Sequence, residues 1–385
     1  MAVAHNHALK AARTQIQQSQ AQEITAAMRP NPVLTYDDLY IPIFSPGHLN
    51  AETLNNITEF DLGVSYTFER GHKRQARIQA ARDQTSVTSA QVGDTERGLT
   101  FSVAQQFVGI LLAKSSLQFA LQDLASYQQT VDLSQVQYKA GAISEGDLLK
   151  IRLQLLQFQM DVSQARLGLI QALASLRSLI GYDAIPAGYD VTGELAYEPL
   201  KLNQDDLKLK ALQLRPDYIA ARLGVAAAES QHSLAKANGK RDLTTTFDYT
   251  HVSALNNAGL TLNIEIPVFD RNQGEIARTH HAITQAQETR TAAEETVMTD
   301  VANAYEAFKT GDEVAQFYLS GYLKQAEDSR DISEYAYKRG AASLLDFLDA
   351  ERSYRATELA YRQALATYML AVEQLREVVG TRKLQ

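Results

Sequence analysis

Two stretches, YKAGAISEGDLLK from Tyr138 to Lys150 and YKRGAASLLDFLD from Tyr337 to Asp349, repeat one pattern at an offset of 199 residues. In each, a helix-forming run stops at a glycine, Gly141 or Gly340, where a helix C-terminus favours positive φ. A Ser-x-x-Asp set follows, Ser144 with Asp147 and Ser343 with Asp346, which reads as a capping box that starts the returning helix. The pattern predicts two helix–turn–helix tips, and the same offset links Leu149 to Leu348 and Gly181 to Gly380.

Working outward, two more pairs of blocks match in the same order. FERGHKRQAR from Phe68 matches FDRNQGEIAR from Phe269, pairing Arg70 with Arg271 and Arg77 with Arg278. AVAHNHALKAAR from Ala2 matches ALQLRPDYIAAR from Ala211. Three ordered blocks with little drift in offset imply an internal duplication. The second copy has NQDDLKLK before Ala211, with no counterpart before Ala2. The expectation is therefore that Met1 is an added start, and that a signal peptide and some mature residues are missing.

Each copy reads helix, strand, strand, long helix, turn, helix. Residues 1–190 form the expected first repeat, 191–210 a linker and 211–385 the second repeat. DLGVSYTF alternates Leu62, Val64, Tyr66 and Phe68 against Asp61, Gly63, Ser65 and Thr67. GLTLNIEIPVF does the same with Leu260, Leu262, Ile264 and Ile266. That period marks half-buried strands. The expected strands span 33–43, 60–68, 243–252 and 259–269. Phe and Tyr near their ends (Tyr36, Tyr40, Phe68, Tyr249, Phe269) suit an aromatic girdle.

Long helices are expected over 70–138 and 271–337, since no proline interrupts either run. At 1.5 Å per residue each would reach roughly 100 Å, which suits a tube wall or a bridge. Val103, Phe107, Ile110, Leu117, Leu121 and Leu124 keep a heptad spacing broken only at Lys114. Tip turns at 139–146 and 338–345 lead to returning helices at 147–180 and 346–380.

The chain has 385 residues, a formal charge of −8 and no cysteine. The acidic balance argues against nucleic acid as a partner, and the missing thiols exclude disulfides and thiolate metal sites. No apolar run is long enough for a transmembrane helix. A membrane crossing must then use a closed β-barrel, and four strands are too few to close one. Asp37 and Asp38 are neighbours in a strand and point to opposite faces, so they form no acid–base dyad. His280 and His281 are adjacent on a helix and point about 100° apart, which fits an exposed surface rather than one ion site. No nucleophile elbow, P-loop or dinucleotide fingerprint appears. The expectation is a protein without enzymatic activity, cofactor or resident metal.

IPVFDRNQGEIAR (Ile266 to Arg278), FERGHKRQAR and the tips YKAGAIS and YKRGAAS together resemble the TolC-like outer membrane factor family, over nearly the whole chain. They look similar to the branch that serves heavy-metal resistance pumps. The resemblance implies a mainly α fold with a small β part: a homotrimer with a twelve-stranded outer-membrane barrel continuous with a periplasmic coiled-coil tunnel. It implies passive export and three further partners, namely a periplasmic adaptor, an inner-membrane pump and outer-membrane lipid. Carried over by position, the adaptor-contact tips fall on Gly141, Ala142 and Ile143 and on Gly340, Ala341 and Ala342. Ala342 is smaller than the family pattern at its place. The acidic constriction falls on Asp346 and Asp349, where threefold symmetry would make carboxylate rings that favour cations. Asp346 also has a structural role as the capping-box acid. Lumen-facing barrel positions are Asp61, Thr67, Asn263 and Glu265. Other readings are the exit duct of a drug-efflux or type I protein secretion system, and a soluble coiled-coil scaffold.

Overall fold

The structure is a computed structural model that describes residues 1–48 and 50–384. In chain order its elements are α1 (Ala2–His5), α2 (His7–Ala27), β1 (Val33–Leu39), α3 (Ala51–Asn56), β2 (Glu59–Phe68), α4 (Lys73–Lys139) and α5 (Glu145–Ile180). There follow α6 (Gln204–Leu214), α7 (Pro216–Asn238), β3 (Leu243–Val252), β4 (Leu255–Ile264), α8 (Gln273–Phe317), α9 (Leu323–Lys338) and α10 (Leu344–Val379). The chain divides into two compact units: Met1–Arg13 with Val92–Ile219 and Glu294–Gln385, and Thr14–Gln91 with Ala220–Ala293. Each unit draws on both halves of the chain, so the compact bodies do not follow the division at 190 and 211 expected from the repeat.

The second unit holds one antiparallel sheet in the order β1-β2-β3-β4. Pairing runs Leu34↔Val64↔Phe247↔Leu260 on one face and Asp37↔Asp61↔Thr250↔Asn257 on the other. β1 ends at Leu39, four residues short of the expected 43, because Tyr40 takes φ 60° and Pro42 has no N–H to donate. β4 occupies 255–264 instead of 259–269. The loop expected over 253–258 closes instead as a tight turn on Ser253 and Ala254, both at positive φ, and pairing ends where Ile264 meets Leu243 at the start of β3. Both crossings from sheet to long helix use the same device: His72 at φ 59° and Asn272 at φ 62°.

The first unit packs the distal part of α4 with α5, α9 and α10, and ties in the segment that precedes α6. Its cores include Ile110, Leu111 and Leu176; Val297, Val301, Tyr368 and Leu375; and Tyr127, Ile151, Phe158, Tyr337 and Phe347. Lys114, which breaks the heptad, reaches Asp190 at 2.5 Å and donates to the Val191 carbonyl at 3.0 Å, anchoring the linker. The linker expected over 191–210 already enters α6 at Gln204, capped by the Asn203 side chain. Arg215, 2% exposed, pairs with Asp217 at 2.5 Å and Asp300 at 2.8 Å.

The helix expected over 271–337 is broken. α8 stops at Phe317, a widened π turn spans Tyr318–Tyr322, and Gly321 sits at φ 120° before α9 begins. In the first copy the corresponding helix, α4, is continuous over 67 residues.

Candidate functional site

The two tips are built by the same local code. α4 ends with the Gly141 N–H donating to Tyr138 O (2.9 Å) and the Ala142 N–H to Gln137 O (2.8 Å). α9 ends with Gly340 donating to Tyr337 O (2.9 Å) and Ala341 to Ala336 O (2.9 Å). Gly141 at φ 73° and Gly340 at φ 74° supply the left-handed residue this closure needs. Gly141, Ala142, Gly340 and Ala341 are exposed, while Ile143 and Ala342 are half-buried. Each returning helix starts two residues earlier than expected, because its first turn opens directly after the capping serine.

The caps differ in completeness. Ser343 accepts from the Asp346 N–H (3.2 Å), and the Asp346 carboxylate accepts from the Ser343 N–H (3.1 Å) and hydroxyl (2.7 Å). In the first tip the box is half made. Ser144 accepts from the Asp147 N–H (3.1 Å), but the Asp147 carboxylate takes the Ser144 hydroxyl (2.8 Å) and Lys150 (3.2 Å). The serine bonds hold the Asp147 and Asp346 carboxyls below the usual range. Asp349, one turn on, is 74% exposed by its side chain, with Arg352 at 3.9 Å.

Behind the tips lies a layer that the sequence reading missed. Tyr127 of α4 stacks on Phe158 of α5 with centroids 4.5 Å apart, and Tyr337 of α9 on Phe347 of α10 at 5.3 Å. Next to it, Arg355 of α10 bridges Asp123 of α4 and Asp161 of α5, both at 2.5 Å, and lies over the Phe158 ring. The Glu351 carboxyl sits beside Asp123, which is 6% exposed. The only trace of this in the sequence is Asp123 itself, a carboxylate inside an apolar heptad run.

In the sheet, Asp61, Thr67 and Asn263 share the polar face, and the Thr67 and Thr244 hydroxyls are 2.9 Å apart. Glu265 does not belong there: it lies one residue past β4 and pairs with Arg241 at 2.9 Å. The opposite face carries Leu34, Tyr36, Leu62, Val64, Phe247 and Leu260, all exposed, Leu260 by 70%. β1 and β4 leave one edge each unpaired among the described residues. Tyr40 and Phe269 of the expected girdle lie outside the strands, both exposed.

Among the described residues no group of three or more His, Asp or Glu is arranged to hold a metal ion. His280 and His281 are exposed, and His232 places Nδ1 2.9 Å from the Thr279 hydroxyl. No described helix is long and apolar enough to cross a membrane.

Known proteins match this architecture. The chain is 22% identical to the cobalt-zinc-cadmium resistance protein CzcC of Cupriavidus metallidurans over 382 residues, covering 99% of this chain and 88% of that one. It is 26% identical to the cation efflux system protein CusC of Escherichia coli K12 over 330 residues, covering 81% and 70%. A crystal structure of CusC superposes with a TM-score of 0.80 at 22% identity, covering 99% of this chain and 90% of that one. The open state of the Neisseria gonorrhoeae MtrE outer membrane channel also gives 0.80, at 19% identity, covering 100% and 89%. The family model for outer membrane efflux proteins matches residues 1–182 and 208–381. The chain belongs to the outer membrane efflux protein family.

Proposed function

We propose that three copies of this chain, pairing β4 of one with β1 of the next, close a twelve-stranded outer-membrane barrel that serves as the exit duct of a tripartite efflux system. One observation carries the reading: a four-stranded sheet with a continuous exposed apolar face and two free edges. Four strands cannot close, and an uncovered apolar face with open edges is costly in water. Lipid against that face, and a neighbour on each edge, remove both costs. The polar face with Asp61, Thr67 and Asn263 then lines the lumen.

Transport through the duct is passive, with energy supplied by an inner-membrane pump through a periplasmic adaptor. The adaptor meets the tips at Gly141, Ala142 and Ile143 and at Gly340, Ala341 and Ala342. The Asp346 and Asp349 carboxylates narrow the closed end as rings of three. Metal cations are the proposed cargo, supported by the names of the CzcC and CusC relatives.

Light scattering in detergent should give a protein mass three times that of the 42.6 kDa chain, with stable conductance in planar bilayers. A monomer that stays soluble without detergent and conducts nothing would refute the duct. A deletion strain that becomes sensitive to drugs and not to metal cations would keep the duct and reject the cargo.

A further inference from the structure

The carboxyls of Asp123 in α4 and Glu351 in α10, 228 positions apart in sequence, come within hydrogen-bond reach behind the tips. There Arg355, one turn on from Glu351, reaches buried Asp123 of α4 and Asp161 of α5, each at 2.5 Å. The groups that face them are Tyr127 from α4, Arg330 and Glu334 from α9, and Tyr354, Arg355 and Arg362 from α10, with Asp161 of α5 behind Arg355, Glu327 of α9 behind Tyr354 and Tyr337 of α9 behind Tyr127. The charges do not balance. Arg355 is shared by Asp123 and Asp161. Arg330 lies over the Tyr354 ring and pairs with Asp331 at 2.5 Å. Glu334 pairs with Lys338 at 2.6 Å, and Arg362 pairs with Glu358. Among the described residues Glu351 makes no ion pair of its own, since the cations near it, Arg330 and Arg355, are paired with other carboxylates. Two adjacent carboxyls, one buried and one half-buried, cannot both ionise cheaply.

We propose that Asp123 and Glu351 form a proton-operated joint between the α4–α5 and α9–α10 hairpins: one shared proton keeps them packed, and its loss loosens them. Burial, reinforced by the neighbouring Asp123 charge, pushes the Glu351 carboxyl up to about 7. Burial likewise raises Asp123, against the opposing pull of Arg355. A carboxyl raised in the packed state stabilises packing fully at acid pH, below its ordinary value, and loses that contribution as pH rises through the raised value. The window therefore runs from the ordinary carboxyl value near 4.5 up to about 7. This joint deepens the duct reading and rests on it for one consequence, that the tips open more readily at neutral than at acid pH. The packing change itself needs no conduction to be seen.

Hydrogen exchange on the assembled protein in detergent tests the joint. Exchange in segments 327–338 and 344–358 is corrected for the intrinsic pH dependence of amides. Opening in the wild type should rise about tenfold from about pH 5.5 to about pH 8. Glu351→Gln, neutral and of the same shape, should stay protected across that range. Asp123→Asn, which removes the neighbouring charge, should move the midpoint down. Identical curves for wild type and Glu351→Gln would overturn the joint. So would an unmoved midpoint in Asp123→Asn, a readout that stands even where Glu351→Gln fails to fold. A protein that shows the exchange transition but no conductance would keep the joint and reject the duct.

Discussion

Arg77 and Arg278 stand at matching places in the two copies of one motif, yet they hold different partners. Arg77 donates to the carbonyls of Ala26 (3.4 Å) and Met28 (3.1 Å) while paired with Glu69, and Arg74 donates to Ala27 O at 2.6 Å. Those carbonyls are the unpaired groups at the end of α2, where cations are favoured. Among the described residues Arg278 reaches only Glu275, one turn back at 2.6 Å, on an exposed surface. In the second copy Asn272 takes over, donating to Ala235 O at 2.7 Å near the end of α7. Arg77→Ala should cost about 1–2 kcal/mol in thermal or denaturant unfolding, since charge-assisted bonds to backbone are lost. Arg278→Ala should leave unfolding unchanged. Equal losses at the two sites would defeat this assignment. The motif was legible in sequence, but the partners were not, because spacing aligns the two arginines and says nothing of carbonyls some fifty residues away.

At the scale of elements, the tips were legible because their code is local: a glycine at positive φ and a capping serine within a few residues. The strand ends were less so. They are set by where a partner strand stops and by which residues turn, as at Tyr40 and at Ser253 with Ala254. The break between α8 and α9 is the clearest departure. Proline counting predicted one continuous helix; the break falls at Gly321, matched by Gln122 in the first copy, whereas Gly311 stays inside unbroken α8. Phe317, Tyr318 and Tyr322 gather at the wide turn, and Tyr318 faces Tyr361 of α10 at 6.1 Å. Nothing lies within 4 Å of a Cβ added at Gly321, so the obstacle to a side chain is its φ of 120° and not space. Gly321→Ala should therefore lower stability by about 1–3 kcal/mol, the range for a residue forced into a sparsely populated conformation. Gln122→Ala, in an unbroken and exposed stretch of helix, is the control and should be neutral or slightly stabilising. Equal effects at both positions in an unfolding titration would mean that the wide turn relaxes to ordinary helix at no cost.

For the whole molecule, the duplicated sequence made the element order readable from one chain, but not how the copies combine. Hydrophobic patterning reports that a face is buried without naming its partner, so the sequence did not reveal that each compact unit would draw on both halves. The same limit applies to Asp346 and Asp349, whose proposed ring exists only between copies. Their surroundings nevertheless separate them. Asp346 spends its carboxylate on the Ser343 N–H and hydroxyl, so its charge is held at a helix start. Among the described residues Asp349 has only a distant Arg352, and its side chain is exposed, which leaves its charge available to a passing ion. In a threefold assembly, Asp349→Asn should remove most of the closed channel's preference for cations while leaving unfolding unchanged. Asp346→Asn should do the reverse, weakening the cap with a smaller change in selectivity. Reversal potentials across a salt gradient in planar bilayers, measured beside thermal unfolding of the same preparations, read both quantities. If Asp346→Asn abolishes cation preference and Asp349→Asn does not, the cap residue itself guards the pore. If neither changes the reversal potential, no carboxylate ring operates at this end.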